Sequence, residues 1–258
     1  MSKNTKPRKA LVKTDVSGST FVNADCFDVF PFIEDKSIDA IICDLPYGTT
    51  ACKWDIILPF NKLWEQYERI IKPNGAIVLF ATQPFTSALV MSNSKNFKFN
   101  FVWDKNRGNG HLVAKIRPLQ RTEDICVFGY NKIKYIPQMV EREKIRKNTK
   151  EGGKRTEIMG GNKKDNYEFK ESTHRYPTNY LFYPHSPSKT LHPTQKPLEL
   201  LEYLVKTYTN EGDTVLDNCM GSGTTNLACI KLNRKSIGIE KEKQYYDVAV
   251  RRALEYCH

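Results

Sequence analysis

Asp44-Leu45-Pro46-Tyr47 combines a carboxylate, two backbone carbonyls on a proline-stiffened turn and an aromatic face. Those parts can hold a planar, amine-bearing ring drawn out of a base stack. The same four residues also make an ordinary turn, with Asp as side-chain acceptor and Pro setting φ. The rest of the chain has to decide between the two.

A second group lies far downstream. Asp217-Asn218-Cys219-Met220-Gly221-Ser222-Gly223-Thr224-Thr225 is followed by Glu240, seventeen residues past Gly223. Glycines let the backbone approach a ligand closely, and a carboxylate at the position of Glu240 can take both ribose hydroxyls. The Gly-x-Gly alone is weak evidence, and no Gly-Lys-Ser/Thr follows it, so this is not a phosphate-binding P-loop. Asp217 ahead of the glycines suits a cationic or amine-bearing ligand better than a pyrophosphate. An adenosine carrying an amino acid and a sulfonium meets that demand.

These groups need strands to carry them. Ile38 to Cys43 is a short apolar run, rich in β-branched residues, that predicts a buried strand ending at Asp44. Open α/β sheets place ligands at such carboxyl ends. Thr20–Ala24, Ala76–Phe80, Lys98–Trp103, Glu123–Tyr130, Asp213–Asp217 and Ser236–Glu240 read as further strands. Helices are expected over Phe60–Ile71, where apolar residues recur at helical spacing, and over Pro84–Met91, Pro197–Tyr208, Thr225–Leu232 and Glu242–Tyr256. Strands alternating with helices predict a doubly wound, mostly parallel sheet.

Composition narrows the partner. A formal net charge of +11 favours a polyanion, and 40% apolar residues suffice for a core in 258 residues. No apolar run is long enough to span a bilayer and no signal-peptide core follows the polar start, so the expectation is a cytoplasmic protein with no membrane partner. Seven scattered cysteines without a C-x-x-C pair argue for reduced thiols and for no metal site. Residues 1–17 read as a flexible basic arm. Residues 132–183 break the strand–helix pattern, and Lys132 to Arg175 holds thirteen Lys/Arg against seven Asp/Glu. That segment reads either as a solvated loop or as a stretch whose lysines meet phosphate. Asn106 to His111 reads either as a surface loop or as a segment inserted at a target base.

Asp217 to Thr225, preceded by His192-Pro193-Thr194-Gln195-Lys196-Pro197 and with Asp44-Leu45-Pro46-Tyr47 upstream, resembles the S-adenosylmethionine-dependent DNA amino-methyltransferases, in the motif order of their β class. The resemblance implies a Rossmann-like, doubly wound α/β fold with a mostly parallel seven-stranded sheet over residues 18–258, and 132–183 as an inserted target-recognition segment. It implies S-adenosyl-L-methionine as cofactor, held by Asp217, Asn218, Cys219, Gly221, Gly223, Thr224 and Thr225 at the methionine part, and by Glu240 at the ribose. Asp25 and Cys26, similar to a Gly-Asp-Cys element, would take the adenine, while Thr194, Lys196 and Pro197 would close over the methionine end. His192 reads as a turn residue leading into a helix. The catalytic set would be Asp44, Leu45, Pro46 and Tyr47.

Double-stranded DNA is the expected substrate, in a bacterial or phage-infected cell. Lys105, Arg107, Arg117, Arg121, Lys154, Arg155, Lys163 and Lys164 are the expected DNA contacts. A homodimer and a cognate restriction enzyme are the further partners this class suggests. Asp as the first residue of the tetrapeptide is similar to the adenine-N6 enzymes. The alternatives are cytosine N4 methylation and a catalytically degenerate DNA-binding protein of the same fold. Two departures stand out: Asn218-Cys219 where the family has Pro-Phe, and Leu45 where it has a first proline.

Overall fold

The computed structural model describes residues 11–49, 52, 55–146, 172–184 and 195–257. One unit comprises Met1–Ile136 and Asn179–His258 and carries a nine-stranded sheet. Its strands are β1 (Val12–Val16), β2 (Ser19–Asn23), β3 (Ile38–Asp44), β4 (Ile71–Ala81), β5 (Phe97–Asn109), β6 (Gln120–Phe128), β9 (Tyr180–Phe182), β10 (Thr214–Asp217) and β11 (Lys235–Glu240). They lie in the order β1-β2-β11-β10-β3-β4-β6-β5-β9. From β2 to β4 every neighbouring pair is parallel, and β6 runs antiparallel to both β4 and β5.

The apolar run before Asp44 becomes the centre of this sheet because both of its faces are covered. Ile41 and Cys43 point into a core with Leu63, Trp64 and Tyr67 of α2 (Phe60–Ile70), and with Phe85 and Leu89 of α3 (Phe85–Ser92). Ala40 and Ile42 alternate to the other face, against Leu200, Leu201 and Leu204 of α4 (Leu198–Tyr208) and Ala228 and Cys229 of α5 (Thr224–Lys231). A third cluster packs Tyr246, Ala249 and Ala253 of α6 (Lys243–Cys257) on Phe21 and Val16. The short helix α1 is Cys26–Val29. No described helix is long and apolar enough to cross a membrane, and all seven cysteines are free.

Three expectations need correction. The sheet has nine strands rather than seven, because β1 and β9 are added at its two edges. The arm expected over 1–17 is a strand from Val12 on: Ser17 and Gly18, both at positive φ, form the two-residue turn that folds β1 back on β2 with Val16 opposite Ser19. Finally, the insertion is shorter than 132–183. Lys134 pairs with Asp213 at 2.6 Å, the Ile136 amide donates to the Thr207 carbonyl, and β9 pairs with β5, so both ends of that segment belong to the main unit. The second unit is Pro137–Thr178, in which β7 (Val140–Arg146) and β8 (Ser172–Arg175) form an antiparallel pair. The loop expected to begin at Asn106 is, in its first part, a continuation of β5, with Asn109 paired to Gln120.

Candidate active site

β10 and β3 are parallel neighbours, with Leu216 opposite Ile41, and the chain leaves them in opposite directions across the sheet, to β11 and to β4. That is the switch point at which a doubly wound sheet opens a crevice. A cavity of about 750 Å³ sits there. Asp44, Leu45, Pro46 and Tyr47 line it together with Asp25, Cys26, Lys196, Asp217, Asn218, Cys219, Gly221, Thr224, Thr225 and Glu240. The two constellations read from sequence are thus brought to one place. Gly223 and Pro197 do not line the cavity, and Thr194 lies outside the described residues. Gly223 serves packing instead. At φ +73° it precedes α5, and a Cβ there would stand 2.8 Å from the Ala249 Cβ.

At the β10 end the ligand-facing groups are carboxylates. Burial raises the Asp217 pKa to about 6, against the Thr225 hydroxyl and the Cys219 amide, which favour the ionised form. The Cys219 amide donates to Asp217 Oδ1 at 3.2 Å. Glu240 accepts the Gly221 amide at one oxygen (2.9 Å) and the Glu242 amide at the other (2.8 Å), which fixes the glycine turn to β11. Each oxygen keeps a lone pair for a hydroxyl. Asp25 caps α1 by accepting the Phe27 amide at 3.0 Å. Asn218, which replaces the expected proline, is held from α2 by the Tyr67 hydroxyl at 2.6 Å. Arg252 of α6 donates to the Ser222 carbonyl at 2.5 Å and braces the turn from behind. A set of Asp217, Glu240 and Asp25 suits a ligand that offers amines, hydroxyls and a positive charge. It does not suit phosphates.

At the β3 end the polar groups pair with one another. Tyr47 donates its hydroxyl to Asp44 Oδ1 at 2.5 Å, and its ring lies 5.0 Å from that of Phe85. Lys196, expected at the methionine end of the cofactor, lines the same cavity and donates to Asp44 Oδ2 at 2.5 Å. Its ammonium lies 3.5 Å from Glu123 Oε2 and stands 5.1 Å above the centre of the Phe80 ring. Lys105 pairs with Glu123 Oε1 at 3.0 Å. Burial raises the Asp44 pKa while Lys196 opposes the rise. Burial also pushes Glu123 and Lys196 toward their neutral forms, but each opposes the other's neutralisation, with Lys105 and Asp44 adding to the effect. Glu123 therefore ends below and Lys196 above its ordinary value.

Two of the expected DNA contacts are engaged elsewhere. Lys105 is buried on Glu123. Arg121 is bidentate on Asp104 (2.6 and 2.9 Å), which also accepts the Tyr180 hydroxyl and, through those donors, is held far below the usual carboxylate range. Arg107 is exposed near the end of β5, and Arg117 is exposed on the connection from β5 to β6. Lys154, Arg155, Lys163 and Lys164 lie outside the described residues. Sequence reasoning missed Asp55, whose oxygens accept the Gly48 and Thr49 amides at 2.8 and 2.9 Å and pin the turn after Tyr47. An acid seven residues past a glycine is too common a pattern to have signalled it.

This arrangement has counterparts. A model of the DNA methylase family that covers both N6 and N4 enzymes matches residues 38–251. The type II methyltransferase M.HpaI of Haemophilus parainfluenzae is 32% identical over 85% of this chain and 69% of its own. The type II methyltransferase M1.MboII of Moraxella bovis is 27% identical over 87% and 92%. Among solved structures, the M1.HpyAVI–SAM complex superposes with a TM-score of 0.61 at 30% identity, covering 91% of this chain and 99% of that one. The cytosine-N4-specific PvuII DNA methyltransferase shares the fold, with a TM-score of 0.64 at 16% identity over 92% and 86%.

Proposed function

The chain belongs to this DNA methylase family and is a site-specific, S-adenosylmethionine-dependent DNA methyltransferase, and on that premise we propose that it methylates the exocyclic N6 of a flipped adenine through Asp44, Leu45, Pro46 and Tyr47. The observation that carries the reading is the Asp44 carboxylate, paired with the Lys196 ammonium at 2.5 Å in the same cavity as Asp217 and Glu240. Asp217 and Glu240 would hold the cofactor, which would supply an electrophilic methyl group on a sulfonium.

The target amine is a poor nucleophile because its lone pair is delocalised into the ring. Asp44 and the Leu45 carbonyl accept its two N–H groups and draw the nitrogen toward tetrahedral geometry. The carboxylate stabilises the positive charge that grows there and takes up the proton the nitrogen releases. Pro46 restricts Leu45 to extended backbone, which keeps that carbonyl aimed although the family's first proline is missing. Tyr47 packs beside the extruded ring and offsets part of the few kcal/mol that unstacking costs.

The DNA backbone meets Arg107 and Arg117, in a stretch from 106 to 122 that contains no Asp or Glu. Lys154, Arg155, Lys163 and Lys164 of the insertion add phosphate contacts, and the reaction takes place in the cytoplasm, where bacterial or phage DNA lies.

The test is the modified nucleoside. DNA from cells expressing the chain, digested and read by mass spectrometry, is expected to contain N6-methyl-2′-deoxyadenosine that is absent when Asp44 is replaced by Ala. N4-methylcytosine in its place would overturn the choice of adenine, and neither product would overturn the activity.

A further inference from the structure

Asp44 has a difficulty in the free chain: both of its oxygens are already engaged, Oδ1 by the Tyr47 hydroxyl and Oδ2 by the Lys196 ammonium, each at 2.5 Å. An incoming amine must compete with a charge-assisted hydrogen bond, which is about twice as strong as a neutral one. On the other side of Lys196 lies the converse problem. Glu123 Oε2 is fully buried and accepts no hydrogen bond among the described residues, although its partner oxygen holds Lys105 at 3.0 Å. Buried carboxylate oxygens without a donor are costly and call for an explanation. The nearest cation is the same ammonium, 3.5 Å away, at ion-pair distance but beyond a good hydrogen bond.

We propose that Glu123 is a positioning residue for the transfer: its unoccupied Oε2 receives the Lys196 ammonium when the target amine arrives, so that Asp44 Oδ2 is handed to the amine while the lysine stays paired. The shift required is a fraction of an ångström to about an ångström. The Phe80 and Trp103 rings, 5.1 and 5.9 Å from the ammonium, give it an apolar, π-faced track. The charges remain balanced throughout, since Asp44 and Glu123 face Lys196 and Lys105. Without Glu123 the ammonium has nowhere to go, and it stays on Asp44 beside a nitrogen that is becoming positive.

The assignment rests on Asp44 being the amine acceptor, and the experiment separates the two. Single-turnover methyl transfer is measured for Glu123→Gln, Asp44→Asn and the double variant Glu123→Gln/Lys196→Met, with S-adenosylhomocysteine affinity as the check that each is folded. Glu123→Gln is expected to slow transfer at least tenfold, with that affinity within about threefold of the parent. Removing the stranded lysine in the double variant is expected to recover at least tenfold over Glu123→Gln alone, which a merely structural Glu123 would not permit. If Glu123→Gln transfers at the parent rate, or the double variant is no faster than the single one, the inference fails. If Asp44→Asn itself keeps the rate, the catalytic reading fails first.

A second measurement does not depend on variants folding: a crystal structure of the unsubstituted chain with S-adenosylhomocysteine and adenosine. Lys196 Nζ is expected within about 3.2 Å of Glu123 Oε2 and no longer on Asp44. Lys196 still on Asp44, with adenosine in place, would refute the handover.

Discussion

Replacing Asp44 by Asn keeps the shape of the side chain and one acceptor oxygen but removes the charge. In the folded chain that charge is held by two donors at 2.5 Å, Tyr47 and Lys196, so the carboxylate is fixed before substrate arrives. A unit charge about 3 Å from a developing cation, at an effective dielectric near 20, is worth on the order of 5 kcal/mol. At about 1.4 kcal/mol per decade that is three to four orders of magnitude in rate. The amide also turns an N–H group toward the Lys196 ammonium or the Tyr47 hydroxyl. Breaking a buried ion pair usually costs about 3–5 kcal/mol of stability. Glu123, 3.5 Å from the ammonium, should hold the loss near the lower bound. The assay is single-turnover transfer of a radiolabelled methyl group to unmethylated plasmid DNA at saturating cofactor, with S-adenosylhomocysteine affinity measured alongside. A fall of at least a thousandfold with affinity kept within a few-fold is expected. A rate within tenfold of the parent would refute the argument that charge at Asp44 drives the step.

Asp55→Asn retains one acceptor for the Gly48 and Thr49 amides and loses the other, a charge-assisted bond worth about 1.5–3 kcal/mol. Turnover should fall ten- to a hundredfold while cofactor affinity is unchanged, and calorimetric titration showing the reverse split would place Asp55 in cofactor binding instead. Asp217, raised by burial to about 6, should make cofactor affinity pH-dependent. A cationic ligand binds the ionised form, so affinity falls as pH drops through about 6 and is restored above 7. The same raised value means the ligand-free fold takes up its proton before the unfolded chain does and gains stability from this residue as pH falls from about 6 toward 4. Titration of S-adenosylmethionine from pH 5 to 8 checks the first of these, and Asp217→Asn should flatten the break near 6.

The backbone of the site was legible because its signals are local. Ile38 to Cys43, apolar but for Asp39, and Val215-Leu216 are short runs that a sheet buries, and each ends in an acid at the point where a parallel sheet opens. The partners of those acids were not legible, because they are set by pairing between distant strands. Trp103 opposite Glu123 in the β5–β6 ladder is what brings Lys105 and Glu123 to the cavity wall. Nothing within either strand announces that pairing. Lys196 was read through its motif as a cofactor residue, and only its position before α4, over the end of β3, shows it paired with a residue 152 positions away.

The same limit explains why counting basic residues overstated the DNA surface. A formal +11 treats every lysine and arginine as free. Yet Lys105 and Lys196 neutralise Glu123 and Asp44 inside the cavity, Arg121 is locked on Asp104, and Arg252 is spent on the glycine turn. Arg121 is instructive, because about half of its side chain is exposed and exposure alone would have kept it among the phosphate-binding residues. With Asp104 gripping its guanidinium in two places, it holds the neck of the β5–β6 excursion instead. The cations that stay exposed beyond that neck are Arg107, Lys115 and Arg117. Removing one phosphate-binding cation should lower the salt slope of DNA binding by about one. Neutralising Arg107 or Arg117 should therefore reduce that slope, whereas neutralising Arg121 should act first on the stability of the excursion.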